Sequence, residues 1–513
     1  MARYKHCDYS QMMMIPVSLA EQLVPGTLEH TIHFMVEEHL DLSGFDQEFK
    51  NDDMGCKAYS PKVLLKAVLL GYARGKNSSR KLEGACRENI VFMALTCGQR
   101  PDHSTFASFV SGMGEERIEE LFTEVLLVCE EEGLLGGTHF SLDGLKLPSN
   151  ASKEWSGTHE DLRKKQKKLT QLVKESVAEH KRNDRKGSDG EEEHRRIQRL
   201  AEKAKRIGRF LKENEPKMGR MGKEIQSNVT DNESAKMKTS HGIVQGYNAE
   251  AMVDSKHQIV VCAEAFGEGG DSGAARAMLE GTKANLEAAG CGAEVLKKAV
   301  FSADTGFFSN ENLQACVDME VDAYIPDPKF RKRDPRLKDA GRFRRPTDKH
   351  KKQYQSKRKT YGPEDFEFDD ASGKLVCPAG KKLYRSGRQT RYGDYLADSF
   401  RAPKSACRDC LLRAKCLRNP NQTGGRQVRY FYLEGGERLT TQMKNKIDTV
   451  EGRRIYSMRL GNVEPVFGNI RAQKGLDRFT LRGSAKVNVQ WKLYCMVHNI
   501  EKIGGYGATF SRN

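Results

Sequence analysis

The segment that most directly indicates the fold reads Ala299-Val-Phe-Ser-Ala-Asp304-Thr-Gly-Phe-Phe308. Its mostly apolar residues lead into an aspartate, a pattern typical of a buried strand that ends at a polar residue. A helical pattern over 274–288 precedes this segment, and a second over 310–318 leads to another apolar run at 321–325. Strands that alternate with helices in this way predict α/β units.

The chain upstream adds an antiparallel element to this pattern. Two strand-like runs flank a turn at Asp254-Ser-Lys, and an earlier one reads His139-Phe-Ser-Leu-Asp143-Gly. An antiparallel run followed by helix-linked strands predicts a mixed α/β sheet. In the segments of Asp143 and Asp304, glycine follows the aspartate almost at once. We therefore expect both carboxylates at the mouths of buried strands rather than inside them.

The N-terminal region, residues 1–137, carries mostly helical patterns. Pro61 stands at an early helical position before apolar residues at helical spacing, and Ser78 and the Pro101-Asp-His-Ser-Thr segment provide further helix starts. Short helices with interleaved bases are typical of a helix-turn-helix DNA reader, and equally of an ordinary helical bundle. Spacing alone leaves both interpretations open.

A highly charged insertion over about 152–225 separates Asp143 from the later strands. Its second half carries apolar residues at alternating spacings of three and four, which predict a narrow helical seam: Ile197, Leu200, Ala204, Ile207 and Leu211. Its first half is a looser partner, and the polar link between the halves contains Gly187 and Gly190. The insertion can therefore form a helical hairpin within one chain, or pair between protomers.

The overall charge indicates a polyanionic partner. The chain has 513 residues, a formal charge of +16 and 30% charged residues, an imbalance that favours contacts with phosphates. The segment 329–359 alone has fifteen bases against three acids, so it is either a solvated loop or a loop that lies on DNA. No apolar run approaches the roughly 18 residues that span a bilayer, and the first residues lack a signal-peptide pattern.

The cysteines divide into a scattered set and a cluster. Their odd number, thirteen, and the scatter of nine of them suit a reducing cytoplasm better than a disulfide framework. The cluster consists of Cys377, Cys407, Cys410 and Cys416 in a β-rich, turn-rich region. The Cys407-x-x-Cys410 spacing can present two thiolates to one tetrahedral Zn²⁺. A structural zinc site, plain buried or free thiols and a redox role are the competing interpretations. Bound zinc would hold the bases Arg408, Arg413, Lys415 and Arg418 against DNA.

A third acid stands near the C-terminus, in Tyr456-Ser-Met-Arg459-Leu-Gly-Asn-Val-Glu464-Pro-Val-Phe-Gly-Asn-Ile-Arg471. Carboxylates that share a cleft repel one another unless a cation lies between them, and two Mg²⁺ ions about 3.5–4 Å apart would remove this repulsion. We expect Asp143 to bridge both ions, with Asp304 on one and Glu464 on the other. Asp254 is the competing candidate for the second acid.

These motifs resemble bacterial insertion-sequence transposases with a DDE catalytic triad and a Tyr-Arg-Glu-Lys signature. The resemblance extends to 59–105, to Asn228-Val-Thr-Asp231 and to Val463-Glu-Pro-Val-Phe-Gly468, and so covers nearly the whole chain. Arg459 and Glu464 are separated by four residues where the signature has three, so Arg459 could face slightly away. Arg471 stands in the place of the signature lysine.

The resemblance implies a ribonuclease-H-like fold, a mixed sheet with helices on both faces. The expected domains are a DNA-binding module at 1–137, a catalytic part at 138–327, an inserted basic and β-rich region at 328–439 and a catalytic part at 440–513. It also implies metal-dependent cleavage of element ends and strand transfer into target DNA. Tyr456, Arg459 and Arg471 would contact DNA near the cleaved end.

Two other functions stay open from the sequence. One is a non-catalytic DNA-binding regulator derived from a transposase, which has no physical need for three acids. The other is a metal-dependent nuclease that cuts DNA without joining it. The expected partners are terminal inverted repeats and target DNA, bound by a homodimer or a larger assembly in the bacterial cytoplasm and, when on DNA, at the nucleoid.

Overall fold

A computed structural model of the chain describes residues 16–48, 57–184, 191–219, 222–239, 242–270, 273–292, 294–337, 360–369, 371–392, 395–432 and 439–511. The chain divides into two compact units. The first unit comprises Met1–Ile325 and Glu451–Asn513, and the second unit comprises Pro326–Val450. Within the described residues, no helix combines the length and the apolar character needed to cross a membrane.

The N-terminal part of the first unit is helical, as predicted. Its helices are α1 (Leu28–Phe34), α2 (Pro61–Ala73), α3 (Ser79–Glu88), α4 (Ile90–Leu95), α5 (His103–Gly112) and α6 (Glu115–Glu131). The predicted start signals lie where these helices begin: Pro61 is the first residue of α2, and the Asp102 carboxylate accepts a hydrogen bond from the Thr105 N–H at 2.8 Å.

The first unit contains the predicted mixed sheet. The strands of this unit are β1 (His139–Pro148), β2 (Ser156–Gly157), β3 (Ser227–Asn228), β4 (Ala235–Thr239), β5 (Gly242–Asp254), β6 (Val260–Phe266), β7 (Val300–Ala303) and β8 (Asp322–Tyr324). Of these, β2 and β3 form a separate short pair, and the other six form the mixed sheet. Across the sheet the order is β6-β5-β1-β7-β8, and β4 pairs with the start of β5. The pairs β1–β5 and β5–β6 are antiparallel, whereas β1–β7 and β7–β8 are parallel.

The position of Asp143 differs from the prediction. It is the fifth of the ten residues of β1 and lies opposite Ala251, so it is inside the strand and not at its mouth. The glycine that follows it, Gly144, lies close to side chains of the neighbouring strand β5. A Cβ at this position would lie 3.0 Å from Asn248 Oδ1 and 3.2 Å from Glu250 Cγ. Asp304 follows the last residue of β7 directly, as predicted.

The insertion after β1 forms a helical hairpin within the chain. Its helices are α7 (His159–Asp184) and α8 (Glu191–Glu213), which pack against each other along the predicted seam. Ile197, Ala204 and Ile207 are buried, whereas Leu200 and Leu211 are half-buried. Phe210, which the heptad spacing missed, completes the attached end by packing with Leu162 and Ile207.

Two further helices predicted between the strands have the predicted bounds. After β6 come α9 (Ala274–Ala288), the short α10 (Val295–Lys298) and, beyond β7, α11 (Asn310–Asp318). The side chain of Ser309 caps α11 by accepting a hydrogen bond from the Asn312 N–H at 3.2 Å.

The second unit is built on a separate antiparallel sheet. Its elements are α12 (Phe330–Arg333), β9 (Glu367–Asp369), β10 (Lys374–Val376), β11 (Lys382–Tyr392), β12 (Tyr395–Arg401), α13 (Lys404–Arg408), α14 (Arg413–Cys416), β13 (Gln427–Tyr432) and α15 (Leu439–Asp448). The strand order is β13-β12-β11-β10-β9. A cluster of six buried residues forms a core under this sheet: Phe366, Leu375, Leu383, Phe400, Ala402 and Val428. Most of the basic segment 329–359 lies outside the described residues.

Three helices close the first unit: α16 (Val450–Gly468), α17 (Ser484–Tyr506) and α18 (Ala508–Ser511), with a π-helical turn at Asn469–Gln473. Helix α17 is buried over most of its length. Its Lys492 ammonium is 4% exposed and forms ion pairs with Glu119 of α6 and with Glu264 of β6, at 2.9 Å for Glu264. This buried pairing ties the N-terminal helices to the sheet.

Candidate active site

The parallel register of β1 and β7 brings two of the predicted acids together. Leu142 pairs with Ala303, so the next residues along the two strands are Asp143 and Asp304. Both line one cavity of about 480 Å³. The other polar residues around this carboxylate cavity are Lys146, Thr239, Asn248, Arg471 and Asp477.

Asp304 is held at the end of its strand by a local turn. Its Oδ1 accepts a hydrogen bond from the Gly306 N–H at 2.7 Å, which starts the 3₁₀ turn Thr305–Phe307. The Asp-Thr-Gly motif therefore fixes the backbone beside the carboxylate.

Asp143 forms a largely buried ion pair with Arg459 of α16. The Arg459 Nη1 lies 2.8 Å from Asp143 Oδ2, and Arg459 is 6% exposed. Burial raises the pKa of the Asp143 carboxyl; Arg459 lowers that pKa in part, and the charge of Asp304 raises it further. The expectation that Arg459 faces slightly away is wrong in this structure, because its side chain points at Asp143 and lies against the Tyr456 ring.

A buried polar network lies behind the cavity and joins three elements. His139 Nε2 is 2.8 Å from Ser302 Oγ, which is 3.0 Å from Ser141 Oγ, and the Asn462 side-chain amide donates to Ser141 Oγ at 3.0 Å. These contacts bind α16 to β1 and β7 beside both aspartates. The sequence patterns did not predict this network, although serine and histidine within otherwise apolar strands were a signal for it.

Glu464 does not line the carboxylate cavity. The face of α16 that packs inward includes Arg459, Asn462, Val463 and Val466, which are all buried. At 100° per residue, Glu464 lies about 140° around the helix from Arg459, and its side chain is exposed. The structure thus brings together Asp143 and Asp304 and leaves Glu464 outside their cavity.

Arg471 lies at the cavity, on the π-helical turn after α16. Its side chain is 53% exposed, and its Nε is 3.7 Å from Asp477 Oδ1. The turn is anchored by Lys474, which is fully buried and contacts Asn469 and Glu501. No sequence motif singled out this lysine.

Asp254, the competing second acid, has a structural position. Its carboxylate is buried and accepts hydrogen bonds from the N–H groups of Gly136, Gly137 and Lys256 at 3.1, 2.8 and 2.9 Å. It is not among the residues that line the carboxylate cavity. Its role is therefore to hold the loop before β1.

Asp143 and Asp304 line one cavity, and carboxylate oxygens are ligands of the type that Mg²⁺ takes. Over the described residues, however, no group of three or more His, Cys, Asp or Glu side chains is arranged to hold a metal ion. The fit to a divalent cation therefore rests on two carboxylates, one of them paired with Arg459.

The four clustered cysteines surround a second, much smaller cavity in the second unit. Cys377, Cys407, Cys410 and Cys416 all line this thiol cavity, whose volume is about 20 Å³. The Lys381 N–H lies 3.3 Å from Cys377 Sγ, as donor to sulfur. Burial raises the pKa of the Cys416 thiol, and the other three cysteines raise it further.

One base of the expected basic surface around the cysteines, Arg413, uses its donors in hydrogen bonds within the chain. Arg413 donates to the backbone carbonyls of Pro420, Cys407 and Gln422, at 2.7 Å for Pro420. Its guanidinium therefore organises the loop around the thiol cavity and is not a free base. Arg408, Lys415 and Arg418 are exposed.

Two transposase family models match parts of this chain. A family model described as "Transposase DDE domain" matches residues 376–504, and a second, described as "Transposase domain (DUF772)", matches residues 20–112. No curated protein matches the chain. The first match contains Glu464 and all four clustered cysteines, and the second covers helices α1 to α5. Together the two matches confirm that this chain is similar to the insertion-sequence DDE transposases, the family that its sequence motifs indicated.

Proposed function

We propose that this protein is a DNA transposase that cleaves transposon ends and joins them to target DNA. The observation that carries the proposal is the parallel register that places Asp143 beside Asp304 in one polar cavity. The strand order β6-β5-β1-β7-β8, antiparallel on one side of β1 and parallel on the other, supports a ribonuclease-H-like sheet. In this proposal the N-terminal module, 1–137, binds DNA.

Asp143 and Asp304 would hold Mg²⁺, and Glu464 is the proposed third ligand. Because Glu464 is exposed outside the cavity, its participation requires a local rearrangement of α16. Bound Mg²⁺ would supply a Lewis acid that lowers the pKa of the attacking hydroxyl and stabilises the leaving oxygen. Arg471 and Lys146, at the same cavity, would bind phosphate oxygens. Tyr456 and Arg459 would approach the DNA backbone once Asp143 exchanges Arg459 for a metal.

The proposed reaction has two in-line displacements at phosphorus. Water attacks the phosphodiester at the element end, and the bond to the 3′ oxygen breaks, which releases a 3′-hydroxyl. That hydroxyl then attacks a phosphodiester of the target, forming one P–O bond as another breaks. No covalent link to the protein is needed.

The test is incubation of the purified protein with candidate element ends, target DNA and Mg²⁺, with nicked and joined products scored separately. We expect both products from the unmodified chain and neither from Asp143→Asn. Binding without cleavage by the unmodified chain would support a regulator instead. Cleavage with no joining of a pre-cut 3′-hydroxyl end would support a nuclease.

We also propose a structural Zn²⁺ in the second unit, held by Cys377, Cys407, Cys410 and Cys416. Four thiols around one cavity, two of them at Cys-x-x-Cys spacing, support it. Their present side-chain positions do not form a metal site, so the thiols would have to converge on the ion. Metal analysis of the untreated protein tests the proposal, and a protein without zinc would contradict it.

The joining of two DNA ends in one event supports a homodimer or a larger assembly as the working form. Its proposed location is the bacterial cytoplasm, at the nucleoid when DNA is bound.

A further inference from the structure

The helical hairpin of α7 and α8 has two halves of different charge. In the half attached to the sheet domain, Glu160, Asp161 and Glu213 lie at the helix ends, and residues 162–174 and 203–212 contain Lys and Arg but no Asp or Glu. We call this the basal half. Its bases are Arg163, Lys164, Lys165, Lys167, Lys168, Lys174, Lys203, Lys205, Arg206, Arg209 and Lys212.

The two basic segments lie side by side. A Cβ on Gly208 would be 2.4 Å from Gln166 Nε2, so the backbone of α8 meets the side chains of α7 at this level. Leu162, Ile207 and Phe210 pack together at the attached end. The positive charges of both helices are therefore concentrated on one part of the hairpin.

The distal half, 175–184 and 191–202, contains both signs of charge. Its acids include Glu191, Glu192 and Glu193, and its bases include Arg195. The Arg195 guanidinium forms an ion pair with Glu191 at 2.7 Å. In this half seven acids face five bases, so it has no excess of positive charge.

Most bases of the basal half have no such partner. Lys164 pairs with Glu160, and Lys165 and Arg206 lie over the Trp155 ring. The remaining eight are exposed and form no ion pair with any residue that the structure describes: Arg163, Lys167, Lys168, Lys174, Lys203, Lys205, Arg209 and Lys212.

We propose that the basal half of the hairpin is a DNA-binding surface that contacts phosphates. Eight unpaired bases on two adjacent helices repel one another, and a polyanion relieves this repulsion while releasing its counterions. A second copy of the hairpin is disfavoured as the occupant, because over the described residues the two helices expose a single large apolar side chain, Leu172, which is 38% exposed. The inference rests on the proposed function, and it assigns DNA contacts to this insertion.

The experiment compares two basal triple variants with a matched control. The basal variants are Arg163, Lys167 and Lys168→Gln and, separately, Lys205, Arg209 and Lys212→Gln. The control removes three charges from the distal half: Arg195, Arg196 and Arg199→Gln. Circular dichroism checks helicity, and affinity for an element-end duplex and for a random duplex is measured across salt concentrations.

We expect at least one basal variant to lose about tenfold or more in affinity for both duplexes at low salt. The slope of log affinity against log salt should fall by about 0.9 for each phosphate contact removed, and the control should keep most of the original slope. Basal variants that bind with unchanged affinity and slope would overturn the inference while leaving the transposase proposal intact. An unmodified chain that binds no DNA would overturn both. Loss of self-association in the basal variants, with DNA affinity retained, would assign the surface to a second copy and also overturn the inference.

Discussion

The carboxylate cavity and the thiol cavity differ in size, in lining and in what holds them. The first has a volume of about 480 Å³ and is lined by several charged and polar residues, whereas the second has about 20 Å³ and is lined largely by cysteines and apolar groups. A cavity of about 480 Å³ has room for water, ions and phosphate, whereas one of about 20 Å³ has room for a single small ion. This difference matches the two proposals made above, a catalytic site in the first unit and a structural zinc site in the second.

The supports of the two cavities also differ. Asp143 and Asp304 stand on buried strands of a six-stranded sheet, tied to α16 by side-chain hydrogen bonds. Cys407 and Cys416 lie in the short helices α13 and α14, whereas Cys377 and Cys410 lie outside them. All but Cys410 pack against a cluster of six buried residues. Small cores of this kind commonly need a metal or a disulfide.

The largest expected effect is on the second unit. If the thiol cavity holds zinc, Cys407→Ser combined with Cys410→Ser should remove the ion, whose binding contributes on the order of 10 kcal/mol in structural sites. Thermal unfolding of the full chain should then lose the transition of the second unit, and zinc content should fall. Cys97→Ser, an exposed cysteine of the first unit, is the control and should change neither. An unaltered melting profile in the double variant would contradict a structural role for the thiol cavity.

Next in size is the effect of a lost carboxylate in the first cavity. Asp304→Asn should reduce strand cleavage about a thousandfold or more, which corresponds to about 4 kcal/mol of transition-state stabilisation. Asp477→Asn is the matched control, because Asp477 lines the same cavity but lies on its exposed side, with a side chain 78% exposed. DNA affinity should stay within about twofold for both variants. Equal loss of cleavage in both would show that general cavity charge, and not Asp304, matters.

Breaking the buried ion pair should have an intermediate effect on stability. Arg459→Ala leaves Asp143 largely buried without its cation, so the free energy of unfolding of the first unit should fall by about 3 kcal/mol. Arg454→Ala is the control on the same helix, since Arg454 pairs with Glu451 on the surface and should cost at most about 1 kcal/mol. Chemical denaturation measures both. Added Mg²⁺ should restore stability to Arg459→Ala more than to the unmodified chain, and no such difference would argue against cation binding at Asp143.

The smallest expected effect comes from the network behind the aspartates. Asn462→Ala removes one buried hydrogen bond to Ser141 and should cost about 1 kcal/mol. Cleavage should fall more than this loss of stability explains, because α16 carries both Arg459 and Glu464. Ser457→Ala, which removes an exposed hydrogen bond to the Arg454 carbonyl on the same helix, should alter neither quantity. Comparing the fall in cleavage with the fall in stability for the two variants tests whether the network positions the site.

Local patterns predicted most of the secondary structure, because helix starts and apolar runs depend on neighbouring residues. The helices Ala274–Ala288 and Asn310–Asp318 have the predicted bounds, and the hairpin seam follows the predicted residues except Phe210. Local patterns could not predict that Asp143 lies inside its strand. Its strand continues past the glycine because β5 pairs along it as far as Pro148, and that pairing partner lies about a hundred residues away in the chain.

By itself, the sequence determined the mixed α/β class, the family resemblance, the presence of candidate catalytic acids in a basic chain, and the cysteine cluster. Each of these depends on residue type and short-range spacing. Only the tertiary structure decided that Asp143 and Asp304 share a cavity, that Arg459 forms an ion pair with Asp143, and that Asp254 holds a loop. It also separated Glu464 from the other two acids. These outcomes depend on strand register and on which helix face packs inward, which are set by contacts between segments far apart in the chain.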